Sequence, residues 1–207
     1  MFPSTCIDPL HIAFCQSNAI AGYGFHTRFL GNRLCLRQMN TEDAEDLYLF
    51  YSDSKVTQYL DWNGPASVQD SIDLIHSWNQ YFQDKRLFPW GISLKTDPTL
   101  IGTVMFMPIR DTFEKKPLLP LNVGFELNRH YWNKGIMSEA LEAVLAFSRE
   151  HIGAHRIQAE VFPENKASLK VLEKLGFKQE GLMHQYLMHE VTRTFLDVIM
   201  LAFINNT

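Results

Sequence analysis

Cysteine is scarce in this chain: three in 207 residues, at Cys6, Cys15 and Cys35. An odd number without paired spacing excludes a disulfide framework and a thiolate metal site, and it fits a reducing cytoplasm. Long apolar runs are missing as well. The run at residues 198–204 is far too short to span a bilayer. Residues 1–30 have no basic start before their apolar stretch, carry Asp8 and Pro9 early and reach a first arginine only at Arg28, which makes a poor secretory signal. Charge of one sign is not in excess. With 19 basic and 23 acidic residues, a net charge of −4 and a pI near 6.0, general affinity for nucleic acid or an anionic membrane is not expected. A cationic acceptor would be tolerated. His130, His151, His155, His184 and His189 share no ligand spacing on a helical face, so no metal is expected.

What is present is a composition of 46% hydrophobic, 13% aromatic and 20% charged residues, which suits one packed domain of ordinary size. The expected division is an N-terminal extension over residues 1–30 and a single domain over 31–207. A first strand is read at residues 34–39, followed by a helix capped by Asn40 or Thr41 with Ala44, Leu47, Tyr48 and Tyr51 inward. Ser67 caps a second helix with an apolar stripe of Ile72, Ile75, Trp78 and Phe82. Strands follow at 89–95 and 100–109, joined by a turn at Asp97-Pro98, and a Pro- and Lys-bearing loop covers 110–120. Late strands are read near 177–189 and 194–204. The last is nearly all apolar and reads as buried on both faces, with Asp197 its one exception.

The stretch at 122–147, N-V-G-F-E-L-N-R-H-Y-W-N-K-G-I-M-S-E-A-L-E-A-V-L-A-F, carries more information. Val123, Phe125 and Leu127 alternate as a strand, and from Gly135 onward Ile136, Ala140, Ala143, Val144 and Phe147 recur at helical spacing. Glycine at a loop-to-helix junction admits close backbone approach. The unpaired first-turn N–H groups and the helix dipole then form an anion cradle suited to a phosphate. The G-K-[ST] order of a P-loop is absent, as is the glycine pattern of a dinucleotide turn. A second strand at 156–162 places Ile157, Ala159 and Val161 on one face and Gln158, Glu160 and Phe162 on the other. It leads into P-E-N-K-A-S-L-K-V-L-E-K-L-G-F, where Asn165 is a good N-cap and Gly176 a helix stop.

Together, W-N-K-G-I-M-S-E-A-L and V-F-P-E-N-K-A-S-L-K-V-L-E-K-L-G-F-K-Q-E-G resemble the GNAT superfamily of N-acetyltransferases, in particular its RimJ/RimL-like branch. Arg33 to Arg37 leading into residues 41–47 resembles that branch's opening, and the match covers roughly residues 31–203. The resemblance implies an α/β (α+β) fold with a mixed, mostly antiparallel sheet, flanking helices and a splayed parallel strand pair at 122–128 and 156–162. It also implies acetyl-CoA as cosubstrate and a primary amine as acceptor. The superfamily loop is usually [QR]-x-x-G-x-[GA]; here Trp132 and Met137 stand at the outer positions, and the bulk of Met137 is expected to narrow the pocket.

On this resemblance the cofactor residues are Leu127, Asn128, Arg129, Trp132, Lys134, Gly135, Ile136, Met137, Ser138 and Asn165. Lys170 and Lys174 read as a solvated helix face. Candidate bases are Glu160 and Glu126, each with the alternative of a cross-sheet ion pair. The tyrosine that many members carry seven residues after the asparagine is Leu172 here, so Ser168 is the nearest general acid and Tyr186 a distant one. Tyr59, Asp61 and Trp62, loop aromatics beside an acid, read either as ordinary loop packing or as the candidate acceptor wall. Three readings stay open: an acetyltransferase for a protein or peptide N-terminal amine, one for a small amine such as a polyamine, amino acid or antibiotic, and a CoA-binding protein without transferase activity. A homodimer is left open.

Overall fold

The computed structural model describes residues 29–30, 32–84, 86–109 and 120–205. Residues 1–28 of the expected extension and 110–119 of the expected loop lie outside them. The sheet has eight strands: β1 (Phe29–Leu30), β2 (Leu34–Arg37), β3 (Phe88–Leu94), β4 (Asp97–Pro108), β5 (Leu121–Leu127), β6 (Arg156–Val161), β7 (Lys178–Met188) and β8 (Phe195–Ile204). Their spatial order is β1-β2-β3-β4-β5-β6-β8-β7, and every pairing is antiparallel except β5 with β6. The helices are α1 (Ala44–Tyr51), the single turn α2 (Ser54–Thr57), α3 (Val68–Gln83), α4 (Ile136–Phe147) and α5 (Lys166–Lys174).

Sequence chemistry accounts for most boundaries. The Asn40 side chain accepts from the Glu42 N–H in a capping box with Asp43, and Ser67 Oγ accepts from the Asp70 N–H at the start of α3. Asn165 Oδ1 accepts from the Ser168 N–H to open α5, and Gly176 (φ +93°) closes that helix. Four expectations are corrected. The β3–β4 turn falls at Lys95-Thr96, and Asp97 already belongs to β4, because the Asp97 carboxylate accepts from the Thr99 N–H and leaves the strand ladder intact. Tyr48 is only half-buried and Phe50 takes the inward place on α1. α2 was not foreseen; the Asp53 side chain caps it by accepting from the Lys55 N–H. Asp197 is not buried, and the start of β8 is open on its outer half; Asp197 takes the Gln185 N–H at 2.7 Å and His184 Nδ1 at 2.9 Å, which pins a bulge in β7.

Alternation in the central strands divides the core in two. Val104 and Phe106 of β4, Val123 and Leu127 of β5, and Ile157, Ala159 and Val161 of β6 pack with α4 and with Leu169 and Leu172 of α5. Met105 and Met107 face the other way, toward Leu47, Phe50 and Tyr51 of α1 and Ile75 and Trp78 of α3. The sheet is therefore covered by α1 and α3 on one face and α4 and α5 on the other. Thr103 and Glu126 are direct cross-strand partners on the α1 face. Glu160, between the inward Ala159 and Val161, points to that same face.

At Gly102 the backbones of β4 and β5 come together so closely that a Cβ would lie 2.5 Å from the Glu126 carbonyl oxygen. Gly102→Ala should destabilise the fold by about 1–3 kcal/mol, the range for overpacking. Urea unfolding would read it; a midpoint equal to wild type would contradict the close approach.

Candidate active site

β5 and β6 pair only at Leu121 with Ile157 and Asn122 with Gln158. Beyond those positions β5 stays bound to β4 and β6 stays bound to β8, so the facing edges part. A cavity of about 590 Å³ fills the gap. Its walls come from both faces of the sheet: Tyr59 and Leu60 from the loop after α2, Glu126 and Glu160 from the parted strands, and Gly135 to Ser138 and Asn165 to Ser168 from the starts of α4 and α5.

The start of α4 is an open backbone cradle. Gly135 adopts φ +73°, and an added Cβ would meet only Arg33 Nη2, at 3.6 Å. The loop before it is fastened by Trp132, whose Nε1–H donates to the Leu127 carbonyl at 2.7 Å, and by Asn128, whose side chain accepts from the His130 N–H. Arg33 adds a tie that sequence reasoning missed. Its backbone N–H and Nε both donate to Glu139, and Nη1 donates to the Lys134 carbonyl at 3.1 Å. Glu139 sits in the first turn of α4, where the cradle would otherwise face an unpaired carboxylate.

Of the residues expected at a cofactor, Leu127, Trp132, Gly135, Ile136, Met137, Ser138 and Asn165 line the cavity. Arg129 is turned to Asp53, 2.9 Å away, and Lys134 lies over the Tyr131 ring at 5.4 Å. Lys55, Lys166, Lys170 and Lys174 line the cavity, and of these Lys170 and Lys174 read from their helical spacing as an ordinary solvated face. Only the three-dimensional placement of α2 and α5 shows their common side. Met137 is buried in the core beneath the cavity, and Leu172 is wholly buried, so the tyrosine position of the resemblance belongs to packing here.

The acidic groups lie on the α1 side. Burial pushes the Glu126 carboxyl up, the charge of Asp61 adds to this, and hydrogen bonds from Thr103 and Tyr51 pull it partly back. Burial also pushes Glu160 up, again helped by Asp61, while Asn122 Nδ2 donates to its Oε1 at 3.3 Å. The Glu160 charge in turn raises the Tyr186 phenol. Asp61 is held where its carbonyl accepts from the Glu190 N–H at 2.7 Å, and Trp62 packs 5.4 Å from the Tyr51 ring. Of the expected acceptor wall, Tyr59 lines the cavity, whereas Asp61 and Trp62 stand outside its lining and Asp61 acts on both glutamates through its charge. Ser168 lines the cavity at the first turn of α5. Among the described residues no group of His, Cys, Asp or Glu could hold a metal ion, and no helix is long and apolar enough to cross a membrane.

A family model described as an acetyltransferase (GNAT) domain matches residues 33–178. The chain belongs to the GNAT acetyltransferases. It is an N-acetyltransferase, similar to an uncharacterized N-acetyltransferase, YoaA, of Bacillus subtilis (strain 168), with 32% identity over 156 residues, 75% of this chain and 85% of the relative. It is 27% identical over 171 residues to the [ribosomal protein uS5]-alanine N-acetyltransferase of Escherichia coli (strain K12), covering 78% of this chain and 83% of that one. The fold matches Mycobacterium smegmatis RimJ, solved in complex with CoA-disulfide, with a TM-score of 0.72 at 22% identity over 83% of this chain and 81% of that one. Within this GNAT acetyltransferase the parted strands, the helix-start cradle and the carboxylates occupy one continuous cavity.

A carboxyl raised by burial binds its proton more tightly in the folded than in the unfolded chain, so stability is lost as pH rises from the ordinary glutamate range through the folded value. Glu126→Gln removes that loss. The stability of the variant relative to wild type should therefore grow as pH rises above the ordinary glutamate range of about 4.3, as read by urea unfolding; a constant difference would contradict the raised carboxyl.

Proposed function

We propose that this acetyltransferase transfers an acetyl group from acetyl-CoA to the N-terminal α-amine of a protein or peptide. The observation that carries the reading is the slot between β5 and β6, with an anion cradle on one face of the sheet and carboxylates on the other. The relative that acts on a ribosomal-protein alanine supports the acceptor class. When bound, acetyl-CoA supplies a thioester whose C–S bond is exchanged for a C–N bond to the amine, with free thiol and one proton as the other products.

The residues present fit that cosubstrate. The backbone N–H groups at 135–138 would hold the pyrophosphate at the positive end of α4, and the cavity lysines Lys55, Lys166, Lys170 and Lys174 offer further positive charge. Asn165 uses its Oδ1 as a cap, which leaves its amide nitrogen to donate toward the pantetheine arm. The edge of β5 from Val123 onward can pair with the arm's amides as β6 does at Asn122.

Glu160 is the proposed base. It takes one proton from the acceptor ammonium, and the second, released as the amide forms, goes to the departing sulfur, with the Ser168 hydroxyl near enough to the cavity to pass it. An α-amine of pKa about 7.7–8.0 is roughly a tenth neutral at pH 7, against well under a thousandth for lysine at about 10.4. A modest base therefore suffices for the first and not for the second.

A peptide with a free N-terminus should be acetylated in preference to an N-terminally blocked peptide whose one amine is lysine, and in preference to a polyamine. Thiol release from acetyl-CoA would measure this; equal rates on the two peptides would refute the acceptor assignment, and a preference for the polyamine would favour the small-amine reading. Glu160→Gln should lower kcat/KM at neutral pH by about 10²–10⁴-fold, the usual contribution of a positioned base, with CoA affinity intact. Its rate should recover toward wild type at high pH, where solution supplies neutral amine. Full activity of the variant at neutral pH would remove Glu160 from the role.

A further inference from the structure

The Tyr51 hydroxyl from α1 donates to Glu126 Oε2 at 3.1 Å, and the Thr103 hydroxyl from β4 donates to the same oxygen at 2.7 Å. Tyr51 is 2% exposed and Thr103 is 0% exposed, so each has given up water, and this carboxylate oxygen is where each hydroxyl is directed. A buried carboxyl that merely joined α1 to the sheet would be expected to spread its two oxygens over the available donors. Here both donors go to Oε2, and Glu126 is among the residues that line the cavity. The cross-strand pairing of Thr103 with Glu126 fixes the carboxyl from below, and the close approach of β4 to β5 at Gly102 fixes the strand that carries it.

We propose that Glu126 is a specificity-determining residue of the acceptor pocket, its Oε1 receiving an N–H of the incoming acceptor ammonium, with Tyr51 and Thr103 as positioning residues that aim it. The inference rests on the acetyltransfer reading above and assigns the two glutamates different work: Glu126 holds the ammonium, and Glu160 on β6 removes its proton.

The electrostatics agree. The titratable groups that act on Glu126 are Tyr51 from α1 and Asp61 from the loop after α2, while Glu160 stands across the parted strands. With a carboxyl at this depth held above its ordinary range by burial and by Asp61, a bound cation is the partner that restores its charge. An anionic acceptor would meet Asp61, Glu126 and Glu160 together. A neutral acceptor would leave Glu126 without its counter-charge. The pocket therefore selects amines that arrive protonated, and it rejects the N-acetylated product, which no longer carries a cation.

The test follows the Glu126 carboxyl directly by ¹³C NMR titration of the wild-type chain in the presence of CoA, assigned with Glu126→Gln. Three probes are added in turn: a short peptide with a free N-terminus, its N-acetylated form, and 1,4-diaminobutane. The free peptide should move the Glu126 midpoint down and the acetylated peptide should not. A downward shift with the diamine alone would support the ammonium-binding role of Glu126 and overturn the α-amine reading of the acceptor. No shift with either amine would overturn the inference. Tyr51→Phe and Thr103→Val, which remove one donor each, should each raise the midpoint in the absence of amine and raise the acceptor KM several-fold with kcat nearly unchanged. Glu126→Gln should raise KM by tenfold or more with the same small effect on kcat. A loss confined to kcat in these variants would make Glu126 a participant in proton transfer and would also overturn the inference.

Discussion

The site depends on one constraint: two parallel strands that pair for two residues and then diverge. Each remains satisfied on its far edge, β5 by β4 and β6 by β8, so the divergence costs the sheet little of its hydrogen bonding while it exposes two backbone edges inside the domain. Such edges are normally a liability at the rim of a sheet. Inside a cavity they become a place where an extended, amide-bearing ligand can lie.

Because the slot passes through the sheet, side-chain alternation sorts the chemistry by face. Val123, Leu127, Ala159 and Val161 turn toward α4 and α5 and hold the cradle helix and the Asn165 helix in place. Glu126 and Glu160, at the intervening positions, turn toward α1 and the loop at residues 59–62. A one-residue slip in either strand would exchange these sets and put carboxylates beside the helix-start cradle. The fastening contacts guard against that slip: Gly102 against the Glu126 carbonyl, Trp132 Nε1 on the Leu127 carbonyl, and Arg33 on Lys134 and Glu139.

Much of this was legible in the sequence, because the signals involved are local. The caps Asn40, Ser67 and Asn165, the glycine at 135 and the period-two runs of β5 and β6 each act within a few residues. The less legible parts are those set by distance in the chain. Tyr51 reads as one more residue of an apolar stripe, and a buried tyrosine's need for a hydroxyl partner is the one clue that it reaches Glu126, 75 residues away. Arg129 looks like a phosphate ligand beside the loop, yet Asp53 of the unforeseen α2 turn claims it. Lys170 and Lys174 are exposed as a solvated face would be, but that they also border the cavity shows only once α5 is placed beside it. Asp197, read as buried because its neighbours are apolar, lies beside the β7 bulge, where an edge strand lets it reach the Gln185 N–H.

The central claim is that the exposed edge of β5 is where the cosubstrate lies, and amide hydrogen exchange of the unmodified protein tests it most directly. Added CoA should slow exchange at the β6-facing amides among residues 123–127 and at the first-turn amides 136–138, while amides of β4 keep their free rates. Saturating CoA that protects the α4 start but leaves residues 123–127 unchanged would contradict the account, since the parted strands would then hold nothing.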